Sequence, residues 1–443
     1  MDGMEDDLEV SRDLIDFIAS CPSMFHTTRT IAGRLEAAGF EQLPEGEEWH
    51  LEPGGTYYAT RNGSSVIALR VGDAIDVPHF QMTAAHGDSP TFKLKDAPAL
   101  EGPEGTLRLN VEAYGGMIDH TWFDRPLSVA GRVMVRDGST VRSRLLAPDR
   151  DLVLIPSLAI HMDHDVNKGF APNRQVDLCP LFSAGELKAA DVDRLIAGEL
   201  GVEPHDVLGR DLFLVNRQPG CVWGAASEFV SSPKLDDLQC AYASLVAFLT
   251  SRNESAITVY CCFDNEEVGS NTKQGALSTF LHDVLLRSSL ALGMTEEGYL
   301  RALSRSFLVS CDNAHAVHPN HPERADDANR CRLNGGLVVK EAANQLYTTD
   351  AFSRSVFRAV CDDAGVPLQH FANRSDMQGG STLGNLSNTQ VSVHAVDVGL
   401  PQLAMHSSYE TTGSHDTALG IRALRAFLST NVAIEGAESA TLG

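Results

Sequence analysis

The sequence lacks several features that would assign it to a common class of protein. It has no run of about 20 apolar residues, the length that a membrane helix needs, and its opening stretch MDGMEDDLEV is acidic, unlike a signal peptide. Its nine cysteines include no Cys-x-x-Cys pair, so a disulfide framework is not indicated. These absences predict a cytoplasmic protein with reduced thiols.

Basic residues are also scarce, with 35 Lys and Arg against 59 Asp and Glu, for a formal net charge of −24. Nucleic acids and anionic lipids are bound through a surplus of Lys and Arg, so neither is expected as a partner. The chain is 43% hydrophobic and 21% charged, as in globular proteins. Its 443 residues allow two or three domains, and the simplest class is an acidic enzyme.

The pattern of elements indicates an α/β unit that is interrupted by a β-rich segment. Helical and strand patterns alternate in the first and last parts of the chain, while the segment between them has many short strands and Gly/Pro turns. We therefore predict a discontinuous catalytic domain of residues 1–91 and 226–443, with an inserted β-rich domain of residues 92–225. Apolar spacing also predicts helices over residues 183–200 and 275–289.

Acidic and imidazole side chains follow several predicted strands. The apolar run AITVYCCF, typical of a strand covered on both faces, is followed directly by Glu266 and Glu267. Four more candidates leave a strand or open a helix: His86 in AAHGDSP, Asp236 in SPKLDDLQ, Asp312 in LVSCDNAHAVHPN and His406 in LAMHSS. In open α/β sheets, sites gather at the carboxyl ends of strands. Two histidines with several carboxylates suit zinc, with cobalt or manganese as alternatives.

Such a set of ligands can hold two metals. Asp236 has the short, two-oxygen side chain that a bridging ligand needs. The remaining ligands would form one pair for each metal: His86 with Asp312, and Glu267 with His406.

Glu266 and Asp88 are candidates for roles other than metal binding. Neighbouring side chains on extended backbone point to opposite sides, so Glu266 would stay uncoordinated, within reach of a water held between the metals. Its carboxylate could take the proton of that water and pass it to a leaving amine. Asp88 could accept the second ring N–H of His86 and fix the tautomer of that imidazole.

Each candidate also has a simpler explanation when it is taken alone. Asp236 could cap a helix, Asp88 and Asp312 could close Asx turns, and the two histidines could be ordinary hydrogen-bonded side chains. The adjacent glutamates could lie in a solvated loop. A glycoside hydrolase with Glu266 and Asp312 as its carboxylate pair is a second hypothesis, although the chain has only three Trp for a sugar platform. A catalytically silent scaffold is a third.

Taken together, the motifs resemble those of the aspartyl aminopeptidase-like family of zinc aminopeptidases. The matching motifs, in order along the chain, are AHGDSP, KLDDL, DNEEVGS, CDNAHAVHPN and LAMHSSYE. The resemblance implies an α/β fold with a mixed central sheet sandwiched by helices (zinc exopeptidase-like), and an inserted β-rich domain that forms subunit contacts. It also implies an aminopeptidase with two zinc ions per subunit, assembled into a dodecamer. The implied ligands are His86, Asp236, Glu267, Asp312 and His406, with Glu266 as general base.

Further residues enter through the resemblance alone. His161, in LAIHMDHDVN, matches a histidine that reaches a neighbouring subunit's active site; a surface histidine is the simpler alternative. Lys340, in GGLVVKEAANQ, matches a lysine near the pocket for the substrate's first side chain, where its ammonium could receive an acidic group; a surface lysine is the alternative. The stretch ANRSDMQGGSTLG resembles the bacterial branch, in which a preference for acidic N-terminal residues is less firmly implied. In that stretch, Asp376 and Ser381 would line the pocket.

Overall fold

The computed structural model describes residues 2–377, 379–380, 382–436 and 438–443. In this part of the chain the α-helices are α1 (Asp2–Ala19), α2 (Met24–Ala37), α3 (Ala190–Leu200), α4 (Leu235–Thr250), α5 (Phe280–Ala291), α6 (Glu296–Leu303), α7 (Ala351–Asp363), α8 (Leu383–Ser387) and α9 (Asp416–Ser429). None of the helices in these ranges is long and apolar enough to cross a membrane.

The strands of the first half of the chain are β1 (Glu41–Gln42), β2 (Thr56–Arg61), β3 (Ser65–Val71), β4 (Phe80–His86), β5 (Thr91–Glu101), β6 (Leu107–Tyr114), β7 (Leu127–Asp137), β8 (Thr140–Leu146), β9 (Leu181–Ser183), β10 (Val207–Asn216) and β11 (Cys221–Trp223). The strands of the second half are β12 (Phe229–Ser232), β13 (Ile257–Phe263), β14 (Phe307–Cys311), β15 (Ala314–His315), β16 (Leu337–Glu341), β17 (Leu368–Ala372), β18 (His394–Gly399), β19 (Pro401–Leu403), β20 (Glu410–Gly413), β21 (Val432–Glu435) and β22 (Ser439–Leu442).

A nine-stranded mixed sheet forms the centre, in the order β1-β2-β3-β13-β4-β14-β18-β16-β17. Its strands β13, β4, β14 and β18 are parallel neighbours, so their carboxyl ends lie at the same edge of the sheet. These four strands are almost entirely buried. Their largely apolar sequences are typical of parallel strands that are covered on both faces.

Alternate residues of the sheet pack against helices on opposite faces. On one face, Tyr260 and Cys262 of β13 share a core with α1, α2, α4, α7 and α9. On the other face, Val259 and Cys261 of the same strand share a core with α5, α6 and α8. The period of two along the strand thus assigns each side chain to one helical layer. The predicted mixed sheet sandwiched by helices is confirmed.

Six antiparallel strands between Thr91 and Asn216 form a second sheet, in the order β8-β7-β10-β5-β6-β9. This sheet has a hydrophobic core of its own, in which Ile196 of α3 packs with Phe92 and Leu212. A five-stranded sheet, β11-β12-β20-β19-β15, and the hairpin β21-β22 complete the strand pairing in the described ranges. The second sheet lies where the sequence indicated β-rich structure, and the domain boundaries at residues 92 and 225 stay a prediction.

Two predicted helices begin later than the apolar spacing indicates. Helix α5 begins at Phe280 instead of residue 275, because Gly275 lies against the backbone of Ser270. A Cβ built on Gly275 would lie 2.2 Å from the Ser270 carbonyl oxygen, so these residues form a tight turn that brings two backbone segments together. Helix α3 begins at Ala190 instead of residue 183, because Ser183 ends β9, which pairs with β6, and residues 184–189 are in neither a helix nor a strand.

Candidate active site

The carboxyl ends of the parallel strands bring most of the predicted site residues together. His86 ends β4, the two glutamates follow β13, and Asp312 follows β14. Asp236 lies at the start of α4, and His406 follows β19. A cavity of about 180 Å³ opens at this edge of the sheet and is lined by His86, Asp236, Glu266, Asp312, Lys340 and His406, among other residues.

Asp236 lies between the two histidines. Its Oδ1 is 3.7 Å from His86 Nε2, and its Oδ2 is 3.1 Å from His406 Nε2. The backbone angles of Asp236 are non-helical, with φ −81° and ψ 112°. One oxygen therefore faces each imidazole, and the start of α4 has no side-chain cap hydrogen bond.

Two groups of candidate ligand atoms lie close to Asp236. In one group, His86 Nε2 is 3.8 Å from Glu266 Oε2 and 3.9 Å from Asp312 Oδ1. In the other group, His406 Nε2 is 3.5 Å from Glu267 Oε2. Zinc lies about 2.0–2.2 Å from nitrogen and oxygen ligands, so the ligand atoms of one tetrahedral zinc lie roughly 3–4 Å apart. The observed separations match that range.

The donor set carries a surplus of buried negative charge. Asp236 Oδ1 and Glu267 Oε1 are buried and have no hydrogen-bond partner among the described residues. A buried carboxylate oxygen without a partner is costly unless a cation compensates it. The chemistry and spacing of these side chains therefore fit divalent cations.

Asp88 contacts the backbone of the two glutamates and the ring of His86. Its carboxylate accepts the backbone N–H groups of Glu266 and Glu267, each at 3.2 Å. Its Oδ1 also lies 3.4 Å from His86 Nδ1, and the backbone carbonyl of Asp88 is the nearer hydrogen-bond partner of that nitrogen, at 3.1 Å. The Asp88 oxygens thus bind neighbouring segments, and they cannot close an Asx turn onto residue 90, because Pro90 has no N–H.

Sequence reasoning missed two buried carboxylates that support the ligands. Glu410 accepts the backbone N–H groups of Asp236, at 3.0 Å, and of His406, at 2.7 Å, so one side chain positions two ligands. Asp237 accepts the backbone N–H of His86 at 3.0 Å. The only signals in the sequence are the adjacency of Asp237 to Asp236 and the position of Glu410 inside LAMHSSYE.

The buried carboxylates raise the pKa values of their neighbours. Burial, with the charge of Asp312, raises the pKa of Glu266 to about 8. Burial, with the charge of Asp236, raises the pKa of Glu410 to about 8. Burial lowers the pKa of His406, but its hydrogen bond to Asp236 outweighs burial and raises the pKa to about 9. Without a cation, these three groups therefore hold protons more tightly than they do in the unfolded chain.

We expect the stabilisation by zinc to grow as pH rises from about 5 to about 8. A group whose pKa is raised by folding contributes stability below its unfolded pKa and loses that contribution as pH rises through the folded pKa. For Glu266 and Glu410 the loss is complete near pH 8, and for His406 near pH 9. The metal-free protein should therefore melt at progressively lower temperatures across this range. Scanning fluorimetry of chelated and zinc-loaded samples measures the gap, and a gap independent of pH would contradict this expectation.

Lys340 lies in the wall of the cavity and is buried. Its ammonium donates to the backbone carbonyls of Asp312, at 2.8 Å, and Asn313, at 3.2 Å. Burial lowers the pKa of Lys340, but the negative charge of Asp312 outweighs burial and raises it, so the side chain is a cation. The alternative of a surface lysine does not fit this environment.

The other residues suggested by the resemblance lie away from the cavity or outside the described ranges. His161 is exposed in the loop that follows β8, and its ring contacts that of His164. Asp376 is exposed and forms an ion pair with Arg374 at 2.9 Å. Ser381 lies outside the described residues. Within one chain, the structure therefore groups the six ligand and base candidates with Asp88 and Lys340, and it does not bring His161 or Asp376 to them.

Comparison with known proteins identifies the family. The family described as Aminopeptidase I zinc metalloprotease (M18) matches residues 17–428. A probable M18 family aminopeptidase 2 from Clostridium novyi is 43% identical over 430 residues, which cover 96% of this chain and 99% of the relative. The probable M18 family aminopeptidase 2 of Pseudomonas aeruginosa PAO1 is 42% identical over 432 residues, with coverage of 96% and 99%.

Solved structures agree with this match. A chain of the cryo-EM structure of the Ape4 and Nbr1 complex has a TM-score of 0.93 at 35% identity, covering 96% of this chain and 86% of that chain. The S. cerevisiae mApe1 dodecamer structure has a TM-score of 0.83 at 26% identity, covering 95% and 96%. The sequence resemblance is confirmed, and the chain belongs to the M18 family of zinc metallo-aminopeptidases.

Proposed function

We propose that this chain releases N-terminal amino acids from peptides with two zinc ions per subunit, and that Asp236 bridges the two ions. The observation that carries the proposal is the orientation of the Asp236 carboxylate, with one oxygen facing each histidine. The other ligands would be His86 and Asp312 for one zinc, and Glu267 and His406 for the other. Cobalt or manganese could occupy the same ligands.

Glu266 is proposed as the general base. Bound zinc would lower the pKa of a water and polarise the scissile carbonyl. Glu266 lines the cavity, and the hydrogen bond from its backbone N–H to Asp88 holds the start of this short segment in place. From that position its carboxylate can take a proton from the attacking water and return it to the leaving amine. The surrounding carboxylates attract the protonated α-amine of a peptide, which favours cleavage of the first bond.

A panel of aminoacyl-nitroanilides tests this function. Asp, Glu, Leu, Met and Lys substrates are assayed after chelation and after stepwise return of zinc, cobalt or manganese. Turnover that disappears on chelation and is complete only at two metal equivalents supports the proposal. Chelator-insensitive turnover would contradict it. The hypotheses of a glycoside hydrolase and of a silent scaffold are not retained, because the M18 family consists of metallo-aminopeptidases.

Lys340 is proposed to contact the substrate's first side chain, and its replacement should change selectivity. A hydrogen bond to a charged group contributes about 1.5–3 kcal/mol, so Lys340→Met should lower kcat/KM about 10–100-fold more for the aspartyl than for the leucyl nitroanilide. The exposed Lys188 provides a matched control, Lys188→Met. Equal losses on both substrates would show that Lys340 supports the cavity wall without selecting the side chain.

We also propose a homo-oligomer, a dodecamer built from dimers, with the inserted domain of residues 92–225 at the subunit contacts. The loop around His161 exposes Leu158, Met162 and Val176, which are 66%, 78% and 64% exposed. Exposed apolar side chains that lie together often mark a protein interface. In such an assembly His161 would reach the cavity of a neighbouring subunit. Light scattering measures the number of subunits in the assembly. We propose the cytoplasm as the location of the protein.

A further inference from the structure

The end of β6 and the loop after it reach the ligand cluster from the second sheet. The Tyr114 hydroxyl donates a hydrogen bond to Asp88 Oδ2 at 2.7 Å. The Gly116 carbonyl lies within hydrogen-bond distance of His406 Nδ1 and accepts its proton in the matching tautomer. Between them, Gly115 has φ +81°, and a Cβ built there would lie 3.1 Å from Glu267 Cβ. Residues 114–116 thus lie against the site although they belong to no strand of the central sheet.

The Tyr114 bond is the shortest that Asp88 forms. The same carboxylate accepts the backbone N–H groups of Glu266 and Glu267 at 3.2 Å, and its other oxygen faces His86 Nδ1 at 3.4 Å. Asp88 is buried, so water does not replace a lost partner at no cost. The orientation of the Asp88 carboxylate therefore depends on the phenol that fixes one of its oxygens.

The Tyr114 hydroxyl also accepts a hydrogen bond from the segment that carries Glu266 and Glu267. Asn265 Nδ2 donates to the hydroxyl oxygen at 2.8 Å, and Asn265 immediately precedes Glu266. The ring packs edge-on against Phe213 of β10, with centroids 5.4 Å apart. Asn265, Tyr114, Asp88 and the Glu266 backbone therefore form a closed ring of hydrogen bonds. This ring holds the start of the segment that carries the two glutamates.

We propose that Tyr114 is a positioning residue for the reaction, acting through Asp88 on His86 and on the Glu266–Glu267 segment. This inference rests on the proposed function of the site. Residues that hydrogen-bond to metal ligands orient those ligands. Loss of such a residue typically costs about 10–100-fold in metal affinity or activity. A side chain of the second sheet thereby completes the catalytic site of its own subunit.

Tyr114→Phe removes only the hydroxyl and keeps the ring against Phe213. We expect kcat to fall about 10–100-fold, KM to change by less than about threefold, and the zinc dissociation constant, measured by competition with a chromogenic chelator, to rise about 10-fold. Tyr58→Phe is the matched control, because it removes a hydroxyl bonded to the Glu36 carboxylate at 2.5 Å, away from the site. That control should keep wild-type kcat and zinc affinity.

A double-mutant cycle with Asp88→Asn separates positioning from general stability. If Tyr114 acts through Asp88, adding Tyr114→Phe to the Asp88→Asn variant should have little further effect. Both kcat and zinc affinity should then change by less than about twofold. Additive losses would overturn the proposal, as would wild-type kcat in zinc-saturated Tyr114→Phe. If Tyr114→Phe does not fold, Asn265→Gly suits the φ of +62° at that position. It removes the bond to the hydroxyl, together with the bonds that Asn265 Oδ1 accepts from Thr272 and Gln274. It should show the same losses, and wild-type values in it would overturn the proposal.

A failure of the proposed peptidase function can be distinguished from a failure of the proposed role of Tyr114. A zinc-loaded wild-type chain that turns over none of the nitroanilides would refute the peptidase assignment. The zinc affinities of the two tyrosine variants would still decide the role of Tyr114.

Discussion

Glu266→Gln should retain its zinc and lose kcat by about 10²–10⁴-fold, the usual contribution of a general base. Glutamine keeps the shape of the side chain and the backbone bond to Asp88, but its amide cannot take a proton from water. KM should change little, because the substrate contacts remain. Steady-state kinetics and elemental analysis on the same sample measure both quantities.

The zinc content decides between two roles for Glu266. Its Oε2 lies 3.8 Å from His86 Nε2, close enough for a ligand of the same metal. A parallel loss of zinc and activity would assign Glu266 to the metal shell, and retained turnover in a fully loaded variant would remove it from the mechanism. Glu297→Gln is the control, because Glu297 is an exposed residue of α6.

Asp236→Asn should abolish activity by a factor of about 10³ or more and should lower the zinc content of the chain. The bridging role needs two anionic oxygens, and an amide offers one weak oxygen ligand and an NH₂ group that repels a cation. Both half-sites share this side chain, so we expect both to weaken. The loss of metal-dependent electrostatic stabilisation, worth several kcal/mol, accounts for the size of the effect.

Zinc titration against a competing chelator checks the shared ligand. Two sites that weaken together would agree with a bridge, whereas one unchanged high-affinity site would contradict it. Asp137→Asn serves as the control, because Asp137 is an exposed residue of the β7–β8 hairpin and forms an ion pair with Arg142. Its zinc stoichiometry and activity should equal those of the wild type.

The central layer of the fold could be predicted because its strands have a simple pattern. Residues 256–263 carry no charge and are apolar except for Thr258, and β13 accordingly lies between two helical layers. The start of α5 could not be predicted in the same way. Apolar spacing continues through residues 275–279, but the close backbone approach at Gly275 forms a turn there. That approach depends on contacts outside the helix and has no periodic signal.

In the candidate site, too, some residues could be predicted from the sequence and others could not. Ligand types at strand ends can be read from the sequence because parallel strands end at one edge. Glu410 and Tyr114 could not be found this way, because each reaches the candidate site only through a hydrogen bond to another segment of the chain. A partly buried tyrosine at the end of a strand that alternates apolar and polar residues has nothing unusual in its sequence context. Only the approach of β6 to the central sheet gives its hydroxyl a partner.

The order of the parallel strands has a consequence for biosynthesis. β4 carries His86, and its two neighbours β13 and β14 come from much later in the chain. His406 is later still, after β19. A nascent chain on the ribosome therefore cannot assemble the cleft until nearly all of it has been translated. A truncated chain that ends before residue 406 would lack one of the two histidines of the candidate site.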